Sequence, residues 1–263
     1  MEYIDSIRNV SDLVSLFELW EGKAPISERY TVKDEEHDIV INHAANKFIP
    51  DGIVNTDLWQ DYEHKKILYI LKEAYIRENE RAFDLAEWIR EKHPDTRIWN
   101  RIARWTYGIQ NTSANSIARY IRDIDEDSDL RKSLFEQIAV INLKKSGGKP
   151  QSVIEEVAAY ALSDREEIIR ELQLIDPDIV ICGSTFWILH RFVFGKDPLN
   201  GKSTCDNWYY YMNLDGKERL YIDYYHPANH WPDLVNYYAI TSIYQQALIE
   251  KTSKNMLPKG LTY

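Results

Sequence analysis

Residues 66–75, KILYILKEAY, hold five bulky apolar residues in an unbroken run, 67–71, that ends in Lys72 and Glu73. An apolar run without the alternation of a half-wet strand suits a strand buried on both faces of a parallel sheet. The charged pair then falls at the carboxyl end of that strand, the edge where open α/β sheets bind ligands. Three later stretches repeat the pattern. Residues 138–141 run into Asn142, Leu143, Lys144 and Lys145, and residues 179–182 run into Gly183, Ser184 and Thr185. Residues 220–225 run into His226, Pro227, Ala228, Asn229 and His230. Four such strands with helical connections predict a three-layer α/β/α fold around a central, mostly parallel four-stranded sheet. One site assembled along one rim of that sheet follows from the same pattern.

The connections carry helical spacing. Residues 82–89 and 98–105 each make an amphipathic stretch, with Trp99 and Trp105 as packing residues, and 113–135 continues as helix. Together these predict a helical insertion at about 78–135. Residues 151–175 predict one long helix, ended by Asp176-Pro177-Asp178. Asp197-Pro198 and Asn200-Gly201 mark a loop-rich excursion over 195–217, and Asp215-Gly216 closes a predicted hairpin between 208–214 and 220–225. A last helix covers about 233–250. Upstream, Val10, Leu13, Val14, Leu16, Phe17 and Trp20 recur at helical spacing, and Pro50-Asp51-Gly52 signals a turn. Residues 1–60 are therefore expected to form an N-terminal helical arm packed on a core at 66–250, within a single α/β domain of 1–263.

Composition narrows the function. The formal net charge of -10 argues against broad non-specific attraction to nucleic acid, though an acidic body can still carry a local basic cleft. No apolar run approaches the length of a membrane span, and the opening MEYIDSIRNV is acidic and mixed, unlike a signal peptide. The 2 cysteines, Cys182 and Cys205, allow neither a disulfide framework nor a four-thiolate metal cluster. Cys182 fits a small buried hydrophobe in a strand. A cytoplasmic setting without membrane partners is expected, and nothing in the sequence fixes an oligomeric state. His37 and His43 have no partner at metal-ligand spacing, so no metal or other cofactor is expected. The 8 Trp and 18 Tyr cluster beside the strand ends, where aromatic rings suit stacking on planar ligands, although core filling accounts for more of them.

Taken together, the four strand ends resemble the uracil-DNA glycosylase superfamily. In one branch the first strand ends in Gly-Glu-Ala-Pro-Gly, and Lys72-Glu73-Ala74-Tyr75 stands in that place. Asn142, followed by Leu143-Lys144-Lys145, matches the asparagine and lysine of the second motif. The stretch from Leu174 through Pro177 to Gly183 fits a third element, and His226-Pro227-Ala228 stands where the family has His-Pro-Ser. The resemblance spans residues 66 to about 232 and implies a uracil-DNA glycosylase-like fold. Lys72, Tyr75 and Ala228 depart from the motifs, and the four cysteines of the branch's iron–sulfur cluster are absent. The base acted on is then expected to be a modified or deaminated one rather than uracil in particular.

What the resemblance implies for the site follows from charge. Cleaving an N-glycosidic bond leaves positive charge on the sugar and negative charge on the base. Glu73 is the expected group facing the sugar or orienting water, and His226 the expected donor to the leaving base. Asn142 would bind a flipped base, with Tyr75 stacking on it. Asn229 and Trp231 would fill the gap left in DNA, and Lys144, Lys145 and Lys149 would meet phosphate. Each has a plainer alternative: a Glu73 salt bridge with Lys72 or Arg77, an Asn142 that serves backbone, a His226 that caps a strand end, and a solvated lysine turn. The expected partner is DNA or a nucleotide-like ligand. Two further functions fit the same fold, a non-catalytic nucleic-acid-binding module and a nucleoside or nucleotide N-glycoside hydrolase.

Overall fold

The computed structural model describes residues 2–32, 35–61, 63–77, 79–195 and 208–256. Cys205 and the turns at Asp197-Pro198 and Asn200-Gly201 lie outside the described residues. The chain opens with α1 (Glu2–Asn9) and α2 (Leu13–Glu21), followed by a hairpin of β1 (Ile26–Val32) and β2 (Glu35–Ile41). The short strand β3 (Gly52–Ile53), the single turn α3 (Thr56–Trp59) and strand β4 (Ile67–Tyr75) come next. Helices α4 (Leu85–Lys92), α5 (Arg97–Asn111) and α6 (Ser128–Phe135) lead to strand β5 (Ile138–Gly148). Then come α7 (Ile154–Ser163), α8 (Arg165–Ile175), strand β6 (Ile179–Gly183) and the turn α9 (Phe186–Ile188). Strands β7 (Tyr209–Leu214) and β8 (Lys217–Tyr224) and helix α10 (Asp233–Met256) complete the described chain.

The central sheet runs β3-β5-β4-β6-β8-β7, with the four inner strands parallel and both edge strands antiparallel. It therefore has six strands, not four. The four expected strands are its parallel centre, and β3 and β7 are added at the edges. Side chains alternate between the faces, as a pleated strand requires. Ile67 and Tyr69 of β4 pack with Trp99, Ile102 and Trp105 of α5 and Ile240 of α10. Leu68 and Ile70 pack with Leu16 and Trp20 of α2, Val157 of α7 and Leu172 of α8. Helices cover both faces, which is why the central strands carry no polar alternation.

Four local expectations differ from the structure. The arm at 1–60 is not all helical, because residues 26–41 form the β1–β2 hairpin beside α7, and 52–53 pair with β5. Residues 113–127 are mostly irregular, since their backbone groups find tertiary partners. Tyr237 donates to the Ala118 and Arg119 carbonyls, and Arg104 to those of Ile121 and Arg122. The helix over 151–175 breaks at Asp164, whose buried carboxylate meets Lys23 at 2.9 Å and His43 at 3.0 Å. Strand β5 runs on to Gly148 instead of stopping near 141, and this last difference reshapes the site. The Asp215-Gly216 turn forms as expected, with φ of 54° and 79°, the left-handed pair that closes a two-residue hairpin.

Candidate active site

The carboxyl ends of β4 and β5 lie side by side, with Glu73 opposite Lys144 and Tyr75 opposite Gly148 across an irregularity in the register. Glu73 points onto the face where Lys144 also emerges. Both side chains are only 3% exposed, and Lys144 Nζ lies 2.8 Å from Glu73 Oε2 and 2.6 Å from Glu156 Oε1 in the first turn of α7. Glu156 also accepts from the exposed Lys149 at 2.9 Å, so the four charges alternate along a chain. Burial works against the Lys144 ammonium, but its hydrogen bonds to Glu156 and Glu73 outweigh that and raise its pKa above the usual lysine value. The second oxygen, Glu73 Oε1, is buried with no hydrogen-bond partner among the described residues. Gly148 makes this packing possible, since a Cβ there would fall 2.5 Å from Glu73 Cγ.

One strand position on, Lys145 points to the opposite face. It is fully buried between Asp51 and Glu171, with Glu171 Oε1 at 2.8 Å. Burial, and then the nearby Asp51 charge, push the Glu171 carboxyl well above its usual range, against the pull of Lys145. Asp51 has a second task. Its Oδ2 accepts from the Asn142 backbone N–H at 2.8 Å and from Asn142 Nδ2 at 3.4 Å. The Asn142 amide is thereby tethered by its donor end, and its acceptor end points away from Asp51.

His226 follows β8. Its backbone N–H donates to Ser184 Oγ at 2.9 Å, which ties the turn after β6 to the turn after β8. Gly183 permits that approach, because a Cβ there would stand 2.9 Å from Leu71 Cδ2 and 3.3 Å from Pro227 Cδ. The Ala228 backbone N–H donates to His226 Nδ1 at 3.1 Å, so the neutral ring carries its proton on Nε2. Burial, helped by the positive charge of Lys72, pushes the His226 pKa down to about 4. Lys72 is itself lowered by burial, with the Glu73 charge opposing.

The loop from Pro227 to Trp231 is fastened from α5. Arg101 is buried and donates to the carbonyls of Pro227 at 2.8 Å, Asn229 at 2.7 Å and Trp231 at 2.6 Å, while Arg97 reaches the Ala228 carbonyl at 2.8 Å. Within the loop, Asn229 donates to the His226 carbonyl at 2.9 Å and exchanges hydrogen bonds with Asn236. Trp231 is 56% exposed and faces an apolar groove with Trp208 and Tyr225, away from the Glu73 carboxylate's cleft.

Glu73, Asn142 and His226, from the ends of three different strands, line one cleft of about 320 Å³, with Tyr75 and Lys149 at its edge. Its remaining wall is largely aromatic and aliphatic, including Phe83, Trp88, Ile98 and Trp99. A mostly apolar cleft with a few convergent polar groups is the usual form of a small-ligand site. Three sequence expectations are corrected. Lys144 and Lys145 are strand residues buried in ion pairs, so they form no phosphate cradle. Asn229 braces its own loop with both ends of its amide, which leaves it unsuited to entering a base stack. Of the basic stretch, only Lys149, 60% exposed, reaches the surface.

Asp51, Glu156, Arg97 and Arg101 were not picked out by sequence reasoning. The arginines had a signal in their spacing: positions 97, 101 and 104 share one helix face. Among the described residues, no group of three or more His, Cys, Asp or Glu side chains could hold a metal ion. No described helix is long and apolar enough to cross a membrane. No family model matches the chain, and no curated protein matches it either.

Proposed function

We propose that this chain hydrolyses the N-glycosidic bond of a modified or deaminated nucleobase flipped out of DNA. The observation that carries the reading is the convergence of Glu73, Asn142 and His226 on one cleft, with a buried Glu73 oxygen that lacks a partner. In the reaction the C1′–N bond breaks and its electron pair leaves with the base. Glu73 Oε1 faces the sugar cation or takes a proton from the attacking water, while the Nε2–H of neutral His226 donates to the base as it gains negative charge. Asn142 meets the polar edge of the base, and the aromatic wall takes its faces. The motif resemblance at 72–75, 142–145, 174–183 and 226–228 supports the same assignment of roles.

A second reading, hydrolysis of a free nucleoside or nucleotide, is favoured by the burial of Lys144 and Lys145 and by the net charge of -10. One experiment separates the two. Oligonucleotides carrying uracil, hypoxanthine or xanthine are incubated with the protein and cleaved with alkali at abasic sites, and nucleoside monophosphates are assayed in parallel for released base. Glu73→Gln and His226→Ala are each expected to lower turnover by about 10²-fold or more with the fold intact. Absence of base release from every substrate, or full activity in Glu73→Gln, refutes the proposal.

A further inference from the structure

Across the carboxyl end of β5 from the Glu73 cleft lies a larger hollow of about 690 Å³. One wall is the β1–β2 hairpin through Ile39 and Val40, another the chain just after β4, and the floor is the Ser146-Gly147-Gly148 end of β5. Acidic residues outnumber basic ones 42 to 32 in the chain, yet Lys47, Arg77, Lys144 and Lys149 line this hollow against Glu156 alone. The buried chain of Glu73, Lys144, Glu156 and Lys149 balances itself, two charges against two. That leaves Lys47 and Arg77 as the excess. Lys47 Nζ donates to the Arg77 carbonyl at 2.9 Å, and the exposed Arg77 guanidinium stands 3.8 Å from an exposed Glu80, a contact that water and salt screen.

The hollow and the cleft are continuous. Tyr75, Lys149 and Pro150 line both, and Tyr75 is 51% exposed on the saddle between them. We propose that the hollow holds the phosphodiester backbone next to the nucleotide whose base enters the Glu73 cleft, with the ligand a single-stranded polynucleotide segment rather than a mononucleotide. Lys47 and Arg77 meet phosphate, and Tyr75 stacks on the adjoining unpaired base. A mononucleotide seated in the cleft reaches Lys149 at the saddle but has no phosphate for the far wall. This inference rests on the reading that the cleft takes a nucleobase.

The test is fluorescence anisotropy with a labelled single strand of about 16 nucleotides, titrated over a range of salt concentrations, with the matching duplex and a nucleoside monophosphate as separate arms. Lys47→Gln combined with Arg77→Gln is expected to weaken strand binding about tenfold and to reduce the salt slope by about 1.4, two phosphates at about 0.7 each. Val40→Glu, an exposed position on the hairpin wall, is expected to weaken it similarly by placing a negative charge beside the strand. Lys251→Gln, beside Tyr211 on the opposite edge of the sheet, is expected to change neither quantity. Wild-type affinity and slope in the double variant overturn the proposal, as do no strand binding at all and a clear preference for the duplex. Strand binding with this dependence, but no base release from any substrate, sinks the hydrolytic reading and leaves the hollow's assignment standing. Base release from mononucleotides alone, without strand binding, does the reverse.

Discussion

Lys144→Met tests the buried charge chain most directly. The ammonium and the Glu73 carboxylate are each 3% exposed and 2.8 Å apart, and Glu156 completes the contact at 2.6 Å. Removing one partner of such a pair leaves a charge in a site with little water, at a cost of about 3–5 kcal/mol. Glu156 keeps Lys149, so the loss falls mainly on Glu73, whose other oxygen already lacks a partner. At about 2–4 °C per kcal/mol for a chain of this size, the melting temperature should fall on the order of 10 °C. A solvated lysine that only met phosphate would shift stability by no more than about 0.5 kcal/mol. Adding Glu73→Gln removes the stranded charge, so the double variant should recover about 1–3 kcal/mol relative to the sum of the single changes. Urea and thermal unfolding of the four proteins in the cycle provide the measurement. Loss below about 1 kcal/mol in Lys144→Met, with no coupling to Glu73, would refute the ion-pair account.

Two other predictions concern the same rim. The His226 pKa is lowered in the folded protein to about 4, so the unfolded chain binds the extra proton first as pH falls. Its stabilising effect is complete above about pH 6.5 and lost progressively down to about pH 4, on the order of 3 kcal/mol relative to His226→Gln. Parallel stability–pH curves for the two proteins over that window would contradict it. Gly148→Ala puts a methyl 2.5 Å from Glu73 Cγ and 3.0 Å from the Ala74 carbonyl oxygen. It should destabilise by about 1–3 kcal/mol and reduce base release as Glu73→Gln does, although glycine takes no part in the chemistry. Wild-type turnover in a folded Gly148→Ala protein would show that the position of Glu73 does not matter.

The parallel centre of the sheet was legible because burial on both faces leaves its own mark, an apolar run that stops sharply. The continuation of β5 was not, because LKKSGGK has the composition of a wet turn. Charges stay in a strand there only because acids arrive from elsewhere. Glu73 stands 71 residues from Lys144, and Asp51 stands 94 residues from Lys145. No local pattern contains that information. Residues 113–127 mislead in the opposite sense, since their helical spacing is real but Tyr237 and Arg104 take the backbone carbonyls a helix would use. The cleft itself was largely readable from the polar residues that end each strand, while its supports were not. Asp51 looked like a turn residue, and the arginines of α5 were hidden among the apolar residues that define its buried face.

The supports also bear on chemistry. A carboxylate and an imidazole sharing a small cleft would ordinarily favour a carboxylate–imidazolium pair, which a ligand would have to break before using either group. Here the two are drawn to separate partners. Glu73 meets the Lys144 ammonium through Oε2, while burial and the positive Lys72 hold His226 neutral, with Nδ1 occupied by the Ala228 N–H. That leaves Oε1 of Glu73 and Nε2–H of His226, one acceptor and one donor, for a ligand that needs both. A bond breaking into a cation and an anion has that demand at its two ends. If Lys72→Met raises the His226 pKa toward its ordinary value, as loss of a repelling charge requires, the acid limb of base release should move to higher pH with it. An unchanged limb would mean that burial alone governs the ring and that Lys72 has no part in setting the site's charge.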